Sequence, residues 1–144
     1  MATGQRTDPF VAFNFTVAIG ADRAHFQEVS GLDSTIDVIE HREGGTNSTP
    51  LKLPGQTKYS NITMRWGMTD DLELYEWHRQ TVEGQIERRS GNIFLLDRQG
   101  DVVAEWAFVN AWPTKWDGPD LNAEGTDVAI EMLELAHEGL TRVK

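Results

Sequence analysis

No cysteine occurs among the 144 residues. That removes disulfides, thiolate zinc sites and thiol nucleophiles, and it fits folding in a reducing compartment. Positive charge is also scarce: 13 Lys and Arg face 23 Asp and Glu, a net charge of −10. A chain this acidic is a poor partner for phosphate backbones and for anionic membrane surfaces. Long apolar runs are missing too. The richest stretch, "FVAFNFTVAI" (Phe10–Ile19), is far too short and too interrupted to cross a bilayer. The opening "MATGQRTDPF" lacks the apolar segment of a secretory signal. The expectation is therefore synthesis in the cytoplasm, with no signal peptide, no membrane anchor and no specific nucleic-acid binding.

Recognisable chemistry is absent as well. His25, His41, His78 and His137 fall in no metal-ligand spacing, and neither a phosphate-cradling glycine loop nor a G-x-S-x-G elbow occurs. The glycines of "EGGTN" (Glu43–Asn47) precede no helix start. His78 reads as a packing residue beside a helical stripe. His137 and Glu138 are neighbours that a strand would point to opposite faces. No catalytic, cofactor-binding or metal-binding residues are expected, and no enzyme. A hydrolase with a carboxylate pair has no motif to support it.

What the sequence does have is alternation. Phe13, Phe15, Val17 and Ile19 alternate with polar or small residues, as in a half-buried strand. A short piece, His25–Val29, leads to a turn at Ser30 and Gly31. Thr35–Arg42 alternates again, with Ile36 and Val38 on one face and Asp37, Ile39 and His41 on the other. "NITMRW" (Asn61–Trp66) puts Ile62, Met64 and Trp66 on one side. Ile86–Asp97 and Val102–Trp112 pair around a turn at Arg98–Gly100, where glycine suits a hairpin loop. One helix is expected over Asp71–Glu83, capped by Asp70 with Glu73, striped by Leu74, Trp77, Thr81 and Val82, and stopped by Gly84. The C-terminal "DVAIEMLELAHEGL" (Asp127–Leu140) has the composition of a helix but begins with a strand's alternation.

Two segments stand out. Glu43–Lys58, "EGGTNSTPLKLPGQTK", has no predicted element and is long for a loop in a compact domain. Its prolines and leucines mark it as an ordered arm reaching for a surface elsewhere. Ala111–Gly125, "AWPTKWDGPDLNAEG", concentrates tryptophan, proline and glycine after a strand. The total is about seven strands and one helix in a single domain over residues 1–144. Open sheets recruit other chains at their edges, and tryptophan favours contact surfaces, so an assembly protein is the reasonable inference.

"DPFVAFNFTVAI", "FQEVSGL", "EHREGG", "LKLPGQTKYSNITMRWG", "AWPTKWDGPDLNAEG" and "VAIEMLELAHEGL" occur in this order over nearly the whole chain. Together they resemble the tail tube proteins of T4-type contractile bacteriophages, and more closely the inner-tube subunits of phage-tail-like contractile injection systems. The resemblance implies a mainly β fold: a two-sheet antiparallel β-barrel or sandwich with one flanking helix, a fold that type VI secretion tubes share. It implies hexameric rings stacked into a hollow tube inside a contractile sheath, with the baseplate, spike and terminal cap as further partners. Luminal protein cargo or DNA would pass through, and no cofactor is expected. The particle would be cytoplasmic or released, or a virion if it is a phage. The resemblance also makes Val128–Leu140 a strand.

On this reading the arm reaches an adjacent ring or subunit, and Arg42, Glu43, Gly44, Gly45, Lys52, Leu53, Pro54, Gly55 and Lys58 are its assembly residues. Trp112, Pro113, Lys115, Trp116, Gly118 and Pro119 form a crossover joint between two strands, with both indoles buried. One departure is His41, where the family often has tyrosine. Six copies would carry roughly −60 before counterions, which makes a negative channel plausible. A rival reading is a monomeric β-sandwich binding module that uses Trp112 and Trp116 as a stacking platform.

Overall fold

Period-two alternation drives most of this chain into strands, and long-range pairing decides the rest. The computed structural model describes residues 8–12, 14–20, 22–24, 26–42, 44 and 49–144. Among these are ten strands and one helix. The order is β1 (Phe15–Ile19), β2 (Asp22–Ala24), β3 (Glu28–Ser30), β4 (Ser34–His41), β5 (Leu51–Tyr59), β6 (Ile62–Gly67), α1 (Glu73–Val82), β7 (Arg89–Leu96), β8 (Val102–Asp117), β9 (Ile130–Ala136) and β10 (Gly139–Arg142). All pairs are antiparallel. Eight strands form one sheet, β2-β1-β7-β8-β9-β6-β3 with β10 added to β8, while β4 and β5 pair only with each other.

The large sheet makes two layers because β8 serves both. Val102 to Ala111 pairs with β7, and part of the same stretch takes β10 on its other side. Trp112 to Asp117 pairs with β9 instead. The change comes just after Asn110, whose φ of 53° lies in the left-handed region that asparagine tolerates. The β9–β10 turn pins it: Asn110 Nδ2 donates to Glu138 Oε2 at 2.8 Å, and the Glu138 N–H donates to the Val109 carbonyl at 3.0 Å.

The core fills the space between the layers. Val17, Ile19, Ile93 and Phe108 come from one side; Ile62, Met64, Trp66, Leu133 and Leu135 come from the other. Burying each such side chain contributes about 1.5–3 kcal/mol. Trp77 of α1 is fully buried among them. Its indole N–H donates to the Glu87 carbonyl at 2.8 Å, and the Arg89 guanidinium lies 4.8 Å from its ring centre.

Several expectations need correction. The arm is not without an element: Leu51–Tyr59 is a strand that pairs with β4, with Leu51 opposite His41 and Leu53 opposite Ile39. Pro54 is tolerated because, among the described residues, each strand of this pair has a free outer edge. Trp112, Pro113, Lys115 and Trp116 lie inside β8 rather than in a crossover, and only Gly118 and Pro119 fall in the connection to β9. Pro113 is fully buried there, and the register with β9 slips between Pro113 and Lys115. The helix starts two residues late, and Asp70 does not cap it. Leu72 holds the N-cap position with no side-chain cap bond, and just ahead of it Asp71 Oδ1 accepts the Glu73 N–H at 3.0 Å. Leu74 and Thr81 are half-buried as expected, but Val82 is exposed. Ser30 ends β3 instead of starting a turn.

The C-terminal stretch is β-structured, as the resemblance implies and against its helical composition. It forms two strands, however, broken at residues 137–138, instead of the single expected strand over Val128–Leu140. In β9 the core-facing residues are Glu131, Leu133 and Leu135, while Ile130 and Met132 take the half-exposed side. β7 begins at Arg89, three residues after the expected start, and turns into β8 through Gly100 at φ 88°. Phe13, His25, Glu43 and Gly45 lie outside the described residues.

Candidate assembly surface

β3 and β6 pair from Glu28/Arg65 to Ser30/Thr63, and β4 and β5 pair onward from Ser34/Tyr59. The expected arm of residues 43–58 is therefore part of a longer β4–β5 ribbon over residues 34–59. This ribbon is the arm, and it prolongs one edge of the sheet, with a break at residues 31–33 and 60–61. Gly31 makes the break possible. Its φ is 91°, and a Cβ built on it would run into the Asn61 carbonyl oxygen. Two contacts brace the root: the Ser60 N–H donates to Asp33 Oδ1 at 3.3 Å, and His137 Nε2 donates to the Ser60 carbonyl at 2.9 Å. The His137 ring also lies 5.6 Å from that of Tyr59.

Directly opposed residues of an antiparallel pair share a face. One face of the arm therefore carries Ile39, His41, Leu51 and Leu53, and the other carries Ile36, Val38, Glu40, Lys52 and Pro54. Both faces are uncovered: Ile39 is 52% exposed, Leu51 50%, Leu53 48%, Ile36 55% and Val38 62%. A lone two-stranded ribbon is marginal in water, and apolar side chains on both of its faces call for cover from outside. The charge pattern agrees. From residue 34 to 59, Asp37, Glu40 and Glu43 balance Arg42, Lys52 and Lys58, so the arm is neutral on a chain of net charge −10. A neutral ribbon can approach the acidic body of another copy without like-charge repulsion.

Of the arm residues singled out from the sequence, Lys58 pairs with Asp37 at 3.1 Å, and Lys52 stands opposite Glu40. Gly55 lies close under β4, where a Cβ would be 3.0 Å from the Asp37 carbonyl oxygen. Arg42 and Gly44 are exposed at the far end. The tryptophan set belongs to the other sheet. The Trp116 indole N–H donates to Glu131 Oε2 at 3.0 Å, and its ring meets Tyr75 edge-on at 4.9 Å. Glu131 is only 5% exposed, so this bond satisfies an acid turned toward the core. Trp112 is half-buried opposite Ala136, and Lys115 is exposed opposite Glu134. The turn expected at Ser30 and Gly31 marks the break at the arm's root, whereas nothing in the sequence points to the Asn110 switch or the Glu131–Trp116 bond. The alternation of Leu51 and Leu53 is a signal that could have revealed β5.

Among the described residues, His41, His78 and His137 stand apart from one another. His41 ends β4 in solvent, and burial pulls the His78 imidazole below its ordinary value of 6.5. Glu138 turns to Asn110 and Arg88 and not to His137. A broad hollow of about 520 Å³ is lined by Arg65, Asp117, Asp120, Asp127, Ile130 and Met132. Among the described residues no group of three or more His, Asp or Glu could hold a metal ion. Among the same residues no helix is long and apolar enough to cross a membrane.

The profile of the family described as T4-like virus tail tube protein gp19 matches residues 11–141. No curated protein matches the chain. Among solved structures, a chain of the PVC sheath-tube complex, an extracellular contractile injection system in its extended state, is 32% identical. The match covers 93% of this chain and 90% of that one, with a TM-score of 0.85. A chain from the anti-feeding prophage tube terminating cap is 29% identical over 98% of this chain and 95% of that one, with a TM-score of 0.90. A type six secretion system protein shares the fold at 13% identity and a TM-score of 0.55, covering 90% and 83%.

Proposed function

The chain belongs to the T4-like virus tail tube protein family, and on that premise we propose that it builds the inner tube of a phage-tail-like contractile injection particle. Six copies close into a ring, rings stack into a hollow tube, and a contractile sheath drives the tube through a target envelope. The baseplate with its spike and a terminal cap bound the tube at its two ends. The subunit's work is mechanical, with no catalysis and no cofactor. The particle assembles in the cytoplasm and acts there or after release. The resemblance to injection-system chains at about 30% identity supports this reading over a phage tail that conducts DNA.

One observation carries it: a neutral arm, bare and apolar on both faces, on an otherwise acidic subunit. Such an arm is a liability in a monomer and an asset in a stack. Negative-stain electron microscopy of the concentrated protein should show rings or tubes with a central channel. Deleting Gly45–Pro50 should leave a soluble subunit with unchanged circular dichroism that no longer forms long tubes. Monomers in every buffer, or tubes of normal length from the deletion variant, would overturn the proposal. The neighbouring genes separate the two kinds of particle: a capsid and a terminase would indicate a phage, whereas a sheath, a spike and an ATPase without a capsid indicate an injection system.

A further inference from the structure

The eight-stranded sheet has an open seam. β3 is its last strand, and among the described residues no ladder joins it to the β1–β7 side. At this seam an apolar groove of about 130 Å³ is lined by Phe15, Val29, Leu32, Ile93, Leu95 and Trp106. Phe15, Val29, Leu32 and Trp106 pack against the core from the outside and leave their own outer surfaces open. The groove is close in size to the ~150 Å³ apolar cavity that admits a benzene-sized group, so it suits one leucine or isoleucine side chain.

The arm offers such side chains and cannot deliver them to its own groove. Leu32 sits at the arm's root, whereas the Ile39/Leu53 pair lies five ladder positions beyond the Ser34/Tyr59 pair. At about 3.4 Å per residue this places Leu53 more than about 15 Å out along a paired ribbon. Folding it back would break the β4–β5 ladder or the braced root. A donor patch and an acceptor patch at different places on one molecule allow a head-to-tail contact, which closes into a ring or runs on as an open helix according to the rotation it imposes. The arm's balanced charge fits it for approach to the acidic body of a second copy.

From this geometry we infer that the Phe15–Val29–Leu32–Trp106 groove is the socket for the Ile39/Leu51/Leu53 face of the arm of another copy of this chain. The inference deepens the tube reading by naming the surface that receives the arm, and it rests on that reading.

The absence of cysteine gives a clean background for the test. Leu53→Cys protein is mixed with Leu32→Cys protein, assembled and mildly oxidised, and disulfide-linked dimers are followed on non-reducing gels. Val29→Cys serves as a second socket variant, and circular dichroism checks that each variant is folded. The control pairs Leu53→Cys with Leu121→Cys, an exposed position away from the groove. The expected result is linkage at least tenfold faster for either socket pair than for the control. Tubes that form without faster socket linkage overturn the socket and leave the tube reading standing, whichever other segment fills the groove. Folded protein that forms neither tubes nor socket-linked dimers overturns both.

Discussion

Replacing Trp116 with phenylalanine probes the bond that ties β8 to β9 in the core. The change removes the indole N–H that donates to Glu131 Oε2 at 3.0 Å, while a phenyl ring keeps an apolar face toward Tyr75. Glu131 is 5% exposed, so water cannot fully replace the lost donor. Leaving a buried polar group unsatisfied costs about 1–3 kcal/mol, and about 2 kcal/mol is the expected loss. Trp116→Ala, which also removes the ring, should cost about 3–5 kcal/mol. The assay is urea unfolding at a protein concentration low enough to prevent assembly, followed by circular dichroism. With a slope of about 2 kcal/mol per molar urea, Trp116→Phe should lower the midpoint by about 1 M. A double-mutant cycle with Glu131→Leu isolates the bond, because in that background no acid remains to be stranded. A cost below about 0.5 kcal/mol for Trp116→Phe, or an equal cost with and without Glu131, would refute the reasoning.

Gly31→Ala should destabilise the subunit by more than the ~1–2 kcal/mol of left-handed strain alone, since the added methyl group meets the Asn61 carbonyl oxygen. Urea midpoints should fall and tubes should be lost in micrographs; normal stability with normal tubes would show that the break tolerates a side chain. For His78, burial holds the folded imidazole below 6.5, so the unfolded chain binds more protons as the pH falls through that value. Stability therefore declines on acidification from about pH 7 until folded His78 itself protonates. The melting temperature of His78→Gln should drop less than that of the wild type between about pH 7.5 and 5.5, and equal drops would remove His78 as a cause.

Much of the sandwich is written locally. Val17 and Ile19 in β1, and Ile62, Met64 and Trp66 in β6, alternate cleanly, and their buried faces follow directly. The helix is legible from its Trp77 stripe and its Gly84 stop, although it begins only at Glu73, with Leu72 in the cap position and no cap bond from Asp70. β5 is only faintly legible: Leu51 and Leu53 alternate, but Pro54 and Gly55 suggest a loop, and pairing with β4 makes that stretch a strand. β9 was ambiguous for the opposite reason. Its Glu, Met and Leu favour helix, but β6 and β8 flank it and satisfy its backbone as a ladder. The assembly surface was half visible: the arm's position and leucines could be read, whereas its root at Gly31 depends on how close Asn61 comes in three dimensions.

The sixteen residues of β8 have a mechanical consequence. Because one unbroken polypeptide stripe is woven into both leaves of the sandwich, the leaves cannot slip past each other without shearing many hydrogen bonds together. A load applied along the particle would meet a stiff keel instead of two plates joined by loops. A hollow needle that must pierce without buckling needs that stiffness in every copy.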